Sequence, residues 1–130
     1  LLRIIHYPPV GGDVPVGAVR AGAHEDINLI TLLCNSNQPG LQAKDSSGVW
    51  HDIECSSNCI VINSGDMLNI CSNGYYPSTT HQVVNPKNQE FNISRMSSPL
   101  FLHPDDQIKL SDKYTAGSYL LERLKELGLK

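Results

Sequence analysis

The chain has 130 residues, 40% hydrophobic and 18% charged, with a net charge of -3, which fits one globular domain with an apolar core and leaves no room for a second. Lysine and arginine are scattered singly, so no basic stripe exists to track a phosphate backbone and nucleic acid is excluded as a partner. No apolar run approaches the ~18 to 20 residues of a membrane span, and the opening Leu1-Leu2-Arg3-Ile4-Ile5 lacks the basic segment and cleavage site of a signal peptide, so no membrane contact and a cytoplasmic location are expected.

Short runs of β-branched and apolar residues, punctuated by Gly, Pro, Asn and Ser, recur as far as position 103, which is the rhythm of a sandwich or barrel. Residues 2–7 read as a strand closed by Pro8-Pro9, and residues 29–34 as another. Residues 40–44 and 49–54 pair as a hairpin across Asp45-Ser46-Ser47-Gly48. Residues 59–63 form a buried strand ending at Ser64-Gly65-Asp66. Residues 67–71 and 78–84 read as strands around a turn region that opens with Ser72-Asn73-Gly74, whose Asn-Gly step is the strongest short hairpin signal in the chain. Residues 91–97 supply a further strand. About eight antiparallel strands predict an all-β jelly roll, two sheets enclosing a cavity. Beyond Pro104 the period changes: Leu120, Leu121, Leu124 and Leu127 recur at helical spacing across residues 116–127, and Gly128 is the stop. This C-terminal amphipathic helix is expected to pack on the outside of a sheet.

Cys34, Cys55, Cys59 and Cys71 are not spaced like the staples of a loop-rich secreted fold, so buried or half-buried free thiols are expected. A zinc site built on Cys55 and Cys59 lacks a second thiol pair at ligand spacing. The histidines divide into two groups. His6, His51 and His103 read as ordinary surface or core residues. His24 and Asp26 stand two apart, and residues i and i+2 of an extended chain face the same way; with His81 they make two imidazoles and a carboxylate around one cavity. A buried aspartate beside two buried histidines calls for a cation, and this ligand set leaves open positions on a non-haem Fe(II). Arg95 and Ser97 also project as a pair. An arginine inside an apolar barrel needs an anion, and its fork matches a carboxylate in bidentate geometry; the competing reading is an internal salt bridge. Tyr7 either offers its phenol to the same anion or is a core tyrosine. Trp50 reads as core packing.

Tyr7-Pro8-Pro9, Ala21-Gly22-Ala23-His24-Glu25-Asp26, Thr31-Leu32-Leu33, Gly40-Leu41-Gln42, Val61-Ile62-Asn63-Ser64-Gly65-Asp66-Met67, Ser72-Asn73-Gly74, Ser78-Thr79-Thr80-His81-Gln82-Val83 and Arg95-Met96-Ser97, in this order, resemble the 2-oxoglutarate and Fe(II)-dependent dioxygenases of the isopenicillin N synthase type. The resemblance runs from Tyr7 to about Pro104 and implies a double-stranded β-helix, with residues 1–130 forming the catalytic domain at the C-terminal end of a longer chain. It implies iron on His24, Asp26 and His81, and the far carboxylate of 2-oxoglutarate on Arg95 and Ser97, with Tyr7 assisting. The activity implied consumes O2, releases succinate and CO2, and hydroxylates, desaturates or cyclises a small organic molecule. Gln82 departs from the family's usual Arg and Glu25 from its usual Thr or Ser, neither being a ligand. The family's N-terminal helical region is absent here; that region packs on the barrel, so the bare chain is expected to self-associate. The alternatives are an isopenicillin N synthase-like oxidase that does not use 2-oxoglutarate, a metal- or ligand-binding jelly roll without turnover, and a zinc hydrolase with Glu25 as base.

Overall fold

A computed structural model describes every residue except 12, 13, 35, 55, 57, 88–91 and 130. In chain order it contains β1 (Ile5–Tyr7), β2 (Ala21–His24), β3 (Ile30–Cys34), β4 (Leu41–Lys44), β5 (Trp50–Asp52), β6 (Ile60–Ser64), α1 (Asp66–Cys71), β7 (His81–Val83), β8 (Arg95–Ser97), β9 (Pro99–Leu102) and α2 (Ala116–Glu126). Three sheets, ordered β2-β7-β4-β5, β6-β3-β9 and β1-β8, are antiparallel throughout. The fold is an all-β jelly roll with a C-terminal helix. Among the described residues no helix is long and apolar enough to cross a membrane.

The β4–β5 hairpin forms as its turn chemistry dictates. Gly48 takes φ 87°, and Asp45 Oδ1 accepts from the backbone N–H groups of Ser47 and Val49 at 2.9 Å each, which folds the four-residue link onto itself. His51 closes the same turn, its Nε2 lying 2.6 Å from Asp45 Oδ2 and, as the largest cause, holding that carboxyl well below the usual range.

Residues 67–71 are helix, not strand. Met67 and Ile70, three apart, share one face that packs into the cluster of Leu110 and Ala116, and the tertiary contact overrides a short apolar run that has no period of its own. The Asn73-Gly74 step does not close a hairpin either. Both residues have positive φ, 52° and 82°, and Gly74 N–H returns to Asn69 O at 2.8 Å, which ends the helix in a left-handed cap. Residues 2–7 reduce to an isolated bridge between Leu2 and Leu100 followed by β1. The strand expected over 91–97 begins at Arg95, and Phe91 lies outside the described residues. The periodicity does not single out β2 or β9.

The helix over 116–127 is present, capped by reciprocal bonds between Thr115 and Ser118. It does not lie on the outside of a sheet: Tyr119 and Leu120 join α1, Ile27 and Leu29 in one cluster with Met67, Leu110 and Ala116. The β6-β3-β9 sheet carries apolar residues on both faces. Thr31 on β3 pairs with Asn63 and Phe101 on one face, while Leu32 pairs with Ile62 and Leu100 on the other. On that second face Ile60, Ile62, Leu100 and Leu102 are exposed.

Gly65, just before α1, lies tight against the 26–28 backbone that links β2 to β3. Its φ of -111° is ordinary, but a Cβ there would stand 2.2 Å from Asn28 O and 2.7 Å from Asp26 O. Gly65→Ala is therefore expected to cost about 1–3 kcal/mol through overpacking, read as a melting temperature several degrees lower; an unchanged melting curve would show that the 26–28 backbone gives way freely.

Candidate metal centre

β2 and β7 pair with His24 opposite His81, and the two rings lie 4.3 Å apart between centroids, tilted by 52°. Each ring is turned by a local backbone contact: His24 Nδ1 lies 2.8 Å from Gly22 O and His81 Nδ1 2.9 Å from Thr79 O. A carbonyl only accepts, so each Nδ1 carries the proton and each Nε2 presents its lone pair, the arrangement of a metal-binding histidine. Both Nε2 atoms face Asp26 Oδ1, at 3.8 and 3.9 Å. These separations are too long for hydrogen bonds and close enough for one ion to bridge after small ring rotations. The three ligand atoms lie within 4.8 Å of one another.

Asp26 is held from behind. Its Oδ2 accepts from Thr31 Oγ1 at 2.5 Å and Asn63 Nδ2 at 2.9 Å, and Asn28 Nδ2 reaches Thr31 Oγ1 at 3.2 Å. Among the described residues Oδ1 receives no hydrogen bond. A carboxylate 8% exposed with one oxygen satisfied and the other aimed between two imidazole lone pairs has the chemistry of a cation site. His24 is not buried as expected: its side chain is 47% exposed against 14% for His81, because β2 ends there, so the centre opens to one side.

Thr31 and Asn63 hold the aspartate ligand, a role that the motifs containing them do not announce. Their signal is a polar residue inside an otherwise apolar strand, Ile-Thr-Leu-Leu and Ile-Val-Ile-Asn. Thr31→Val should keep the shape, free Asp26 to rotate, and weaken divalent-metal binding by roughly 10–100-fold, as is usual when the partner of a ligand is lost; equal Co(II) affinity in both proteins would make the Thr31 bond irrelevant to the metal.

Glu25 turns to the rim, where its Oε1 accepts from Thr80 Oγ1 at 2.7 Å. That bond latches the two histidine-bearing segments and engages the carboxylate a hydrolase would need as base. Gln82 donates to Gln42 Oε1 at 2.8 Å and Gln42 to Asp52 Oδ1 at 2.8 Å, a row across β7, β4 and β5 that leaves the ligands untouched.

Arg95 and Ser97 are buried on β8, with Met96 between them exposed, as i, i+2 alternation requires. Arg95 is 2% exposed, donates from Nε to Gln38 O at 3.2 Å, and has a buried Nη1 with no partner among the described residues. Among the described residues no carboxylate forms an ion pair with it, so the internal salt bridge is not found. Burial is the main force lowering its pKa, the Tyr7 phenol opposes that shift and Arg20 adds to it. Tyr7, its cross-strand partner, presents its ring 5.6 Å from the Arg95 Cζ. A cavity of about 310 Å³ opens against Arg95, lined among others by Leu33, Gln38, Leu41, Glu54 and Val61. The orphaned buried N–H fits an anionic ligand entering from that side.

Other candidates fall away from the centre. Trp50 lies beneath the Lys44 ammonium, 5.6 Å from its ring centroid. Cys34 and Cys71 carry free thiols, exposed rather than buried, and the Cys55–Cys59 alternative rests on Cys55, which lies outside the described residues.

A family model described as the 2OG-Fe(II) oxygenase superfamily matches residues 1–104. A flavonol synthase/flavanone 3-hydroxylase of Petunia hybrida is 38% identical over 109 residues, covering 82% of this chain and 29% of that protein. A crystal structure from Shewanella oneidensis superposes with TM-score 0.85 at 56% identity, over 99% of this chain and 47% of that one. A full-length Neurospora crassa protein in complex with alpha-KG (2-oxoglutarate) superposes with TM-score 0.85 at 34% identity, over 97% of this chain and 44% of that one. The chain thus spans less than a third of the curated relative and under half of each solved structure.

Proposed function

Because the chain belongs to the 2OG-Fe(II) oxygenase superfamily, we propose that it is the catalytic barrel of a dioxygenase, with His24 Nε2, Asp26 Oδ1 and His81 Nε2 as iron ligands and Arg95, Ser97 and Tyr7 as the seat of the far carboxylate of 2-oxoglutarate. The observation that carries this reading is a pair of complementary gaps among the described residues: an aspartate oxygen with no hydrogen-bond donor between two lone pairs, and a buried guanidinium N–H with no acceptor. One gap suits a cation and the other an anion.

Fe(II), when bound, supplies the redox chemistry by which O2 and 2-oxoglutarate become succinate and CO2 while a small organic substrate is oxidised. The residues of the chain position and shield. The carbonyls of Gly22 and Thr79 accept from Nδ1 of His24 and His81 and so turn each Nε2 toward the centre. Thr31 and Asn63 occupy Asp26 Oδ2, so the carboxylate offers a single oxygen and coordination positions stay open for the co-substrates. Arg95 holds the anion by a charge-assisted bond at the wall of a cavity that Leu33, Leu41 and Val61 also line.

Supplying Fe(II), O2 and 2-oxoglutarate should yield succinate in proportion to oxygen consumed. Oxygen uptake without succinate would assign the protein to the oxidase class that dispenses with 2-oxoglutarate, and no uptake at all would leave a non-catalytic binder. The exposed row of Ile60, Ile62, Leu100 and Leu102 supports a further proposal, that the rest of the same protein covers this face and when missing leaves the barrel to self-associate. We place the protein in the cytoplasm, on the strength of the exposed free thiols of Cys34 and Cys71.

A further inference from the structure

Asp66, at the start of α1, is buried at 8% exposure and touches three parts of the fold. Its backbone N–H donates to Asp26 O at 2.8 Å. Its Oδ1 accepts from Ser78 Oγ at 2.7 Å and its Oδ2 from the Tyr119 hydroxyl at 2.9 Å, and Arg123 Nε stands 3.9 Å from Oδ2. Ser78 opens the short segment that delivers the second histidine. In that segment Thr79 N–H donates to Ser64 O at 3.0 Å, and Thr79 O is the carbonyl that orients His81.

One residue therefore grips the aspartate ligand through its backbone and the histidine segment through its side chain, while Tyr119 and Arg123 reach it from α2. That helix lies beyond the residues matched by the family model, which end at 104. Packing runs the same way, since Tyr119 and Leu120 join a cluster that includes Ile27 and Leu29, the residues following Asp26.

We infer that Asp66 is a positioning residue through which the C-terminal helix sets the geometry of the metal centre; the inference rests on the metal reading above. Without the Tyr119 bond the carboxylate is free to swing toward Arg123, Ser78 loses a fixed acceptor, and the His81 ring loses part of the scaffold that aims it. Burial and the bond to Asp66 both raise the pKa of the Tyr119 phenol, which keeps its proton available for that bond.

The test uses Co(II) alone, read by its visible absorption and by its dissociation constant. Tyr119→Phe and Ser78→Ala should each weaken Co(II) binding about three- to tenfold, less than the roughly 10–100-fold loss typical when a direct partner of a ligand is removed, and each should shift the absorption. The double variant should fall short of the product of the two, because both act through one carboxylate. Tyr114→Phe removes a hydroxyl from the same cluster that bonds exposed Glu122 instead, and should leave Co(II) affinity within about twofold. A Tyr119→Phe protein that melts earlier but binds Co(II) with unchanged affinity and spectrum overturns the inference, as does an equal effect from Tyr114→Phe. Asp26→Ala belongs in the same assay: if it binds Co(II) like the parent, the metal reading itself fails and this inference with it, whereas loss in Asp26→Ala beside no change in Tyr119→Phe rejects the inference alone.

Discussion

Asp26→Ala should lose specific Fe(II) and Co(II) uptake, with affinity reduced by more than about 100-fold, beyond what removing the partner of a ligand costs. The carboxylate is the only negative ligand among the three and faces both imidazoles through one oxygen. Without it an incoming dication meets two neutral nitrogens and no charge to offset its dehydration. His24→Ala and His81→Ala should follow in the same direction, each leaving two protein ligands. Metal content after reconstitution and gel filtration measures all three, and an Asp26→Ala protein that retains iron would dismantle the centre as drawn.

Arg95→Ala should weaken 2-oxoglutarate binding by at least about tenfold, on the basis of roughly 1.5–3 kcal/mol for each charge-assisted hydrogen bond lost. Metal affinity should hardly move, because Arg95 lies on β8 and no ligand bonds to it. Arg95→Lys keeps the charge but not the fork, and should recover only part of the affinity. Anaerobic titration of the charge-transfer band of the Fe(II)-loaded protein reads both variants. Equal affinity in parent, Ala and Lys forms would make the arginine structural.

What the sequence made legible was local or governed by a short period. The Asp45–Gly48 turn was readable because its bonds close within five residues, Asp45 to Val49. Arg95 and Ser97 were readable as an inward pair because strand alternation is strict, and Met96 between them points out. His24, Asp26 and His81 were readable as a set because few other reasons place that chemistry together. The misreadings had tertiary causes. Residues 66–71 coil because Met67 and Ile70 meet Leu110 and Ala116 from the far end of the chain, which no local pattern announces. Asn73-Gly74 supplied the left-handed conformations it advertises and spent them on a helix end. Thr31 and Asn63 hold Asp26 only because β3 and β6 pair in the register that sets them opposite each other, and a register is a property of two strands. The seat of α2 depends likewise on a buried carboxylate more than fifty positions earlier, Asp66 to Tyr119.

The proposed dioxygenase barrel holds a cation and an anion that recognise each other. Reciprocal linkage tests it most directly: 2-oxoglutarate is titrated by calorimetry into the metal-free protein and into the Co(II)-loaded protein, and Co(II) into the protein with and without 2-oxoglutarate. If the co-substrate spans from the His24, Asp26 and His81 centre to Arg95, metal should tighten 2-oxoglutarate binding, and 2-oxoglutarate should tighten metal binding by the same factor, on the order of 10-fold or more. Identical 2-oxoglutarate affinity with and without metal would contradict the account, because the two sites would then be separate.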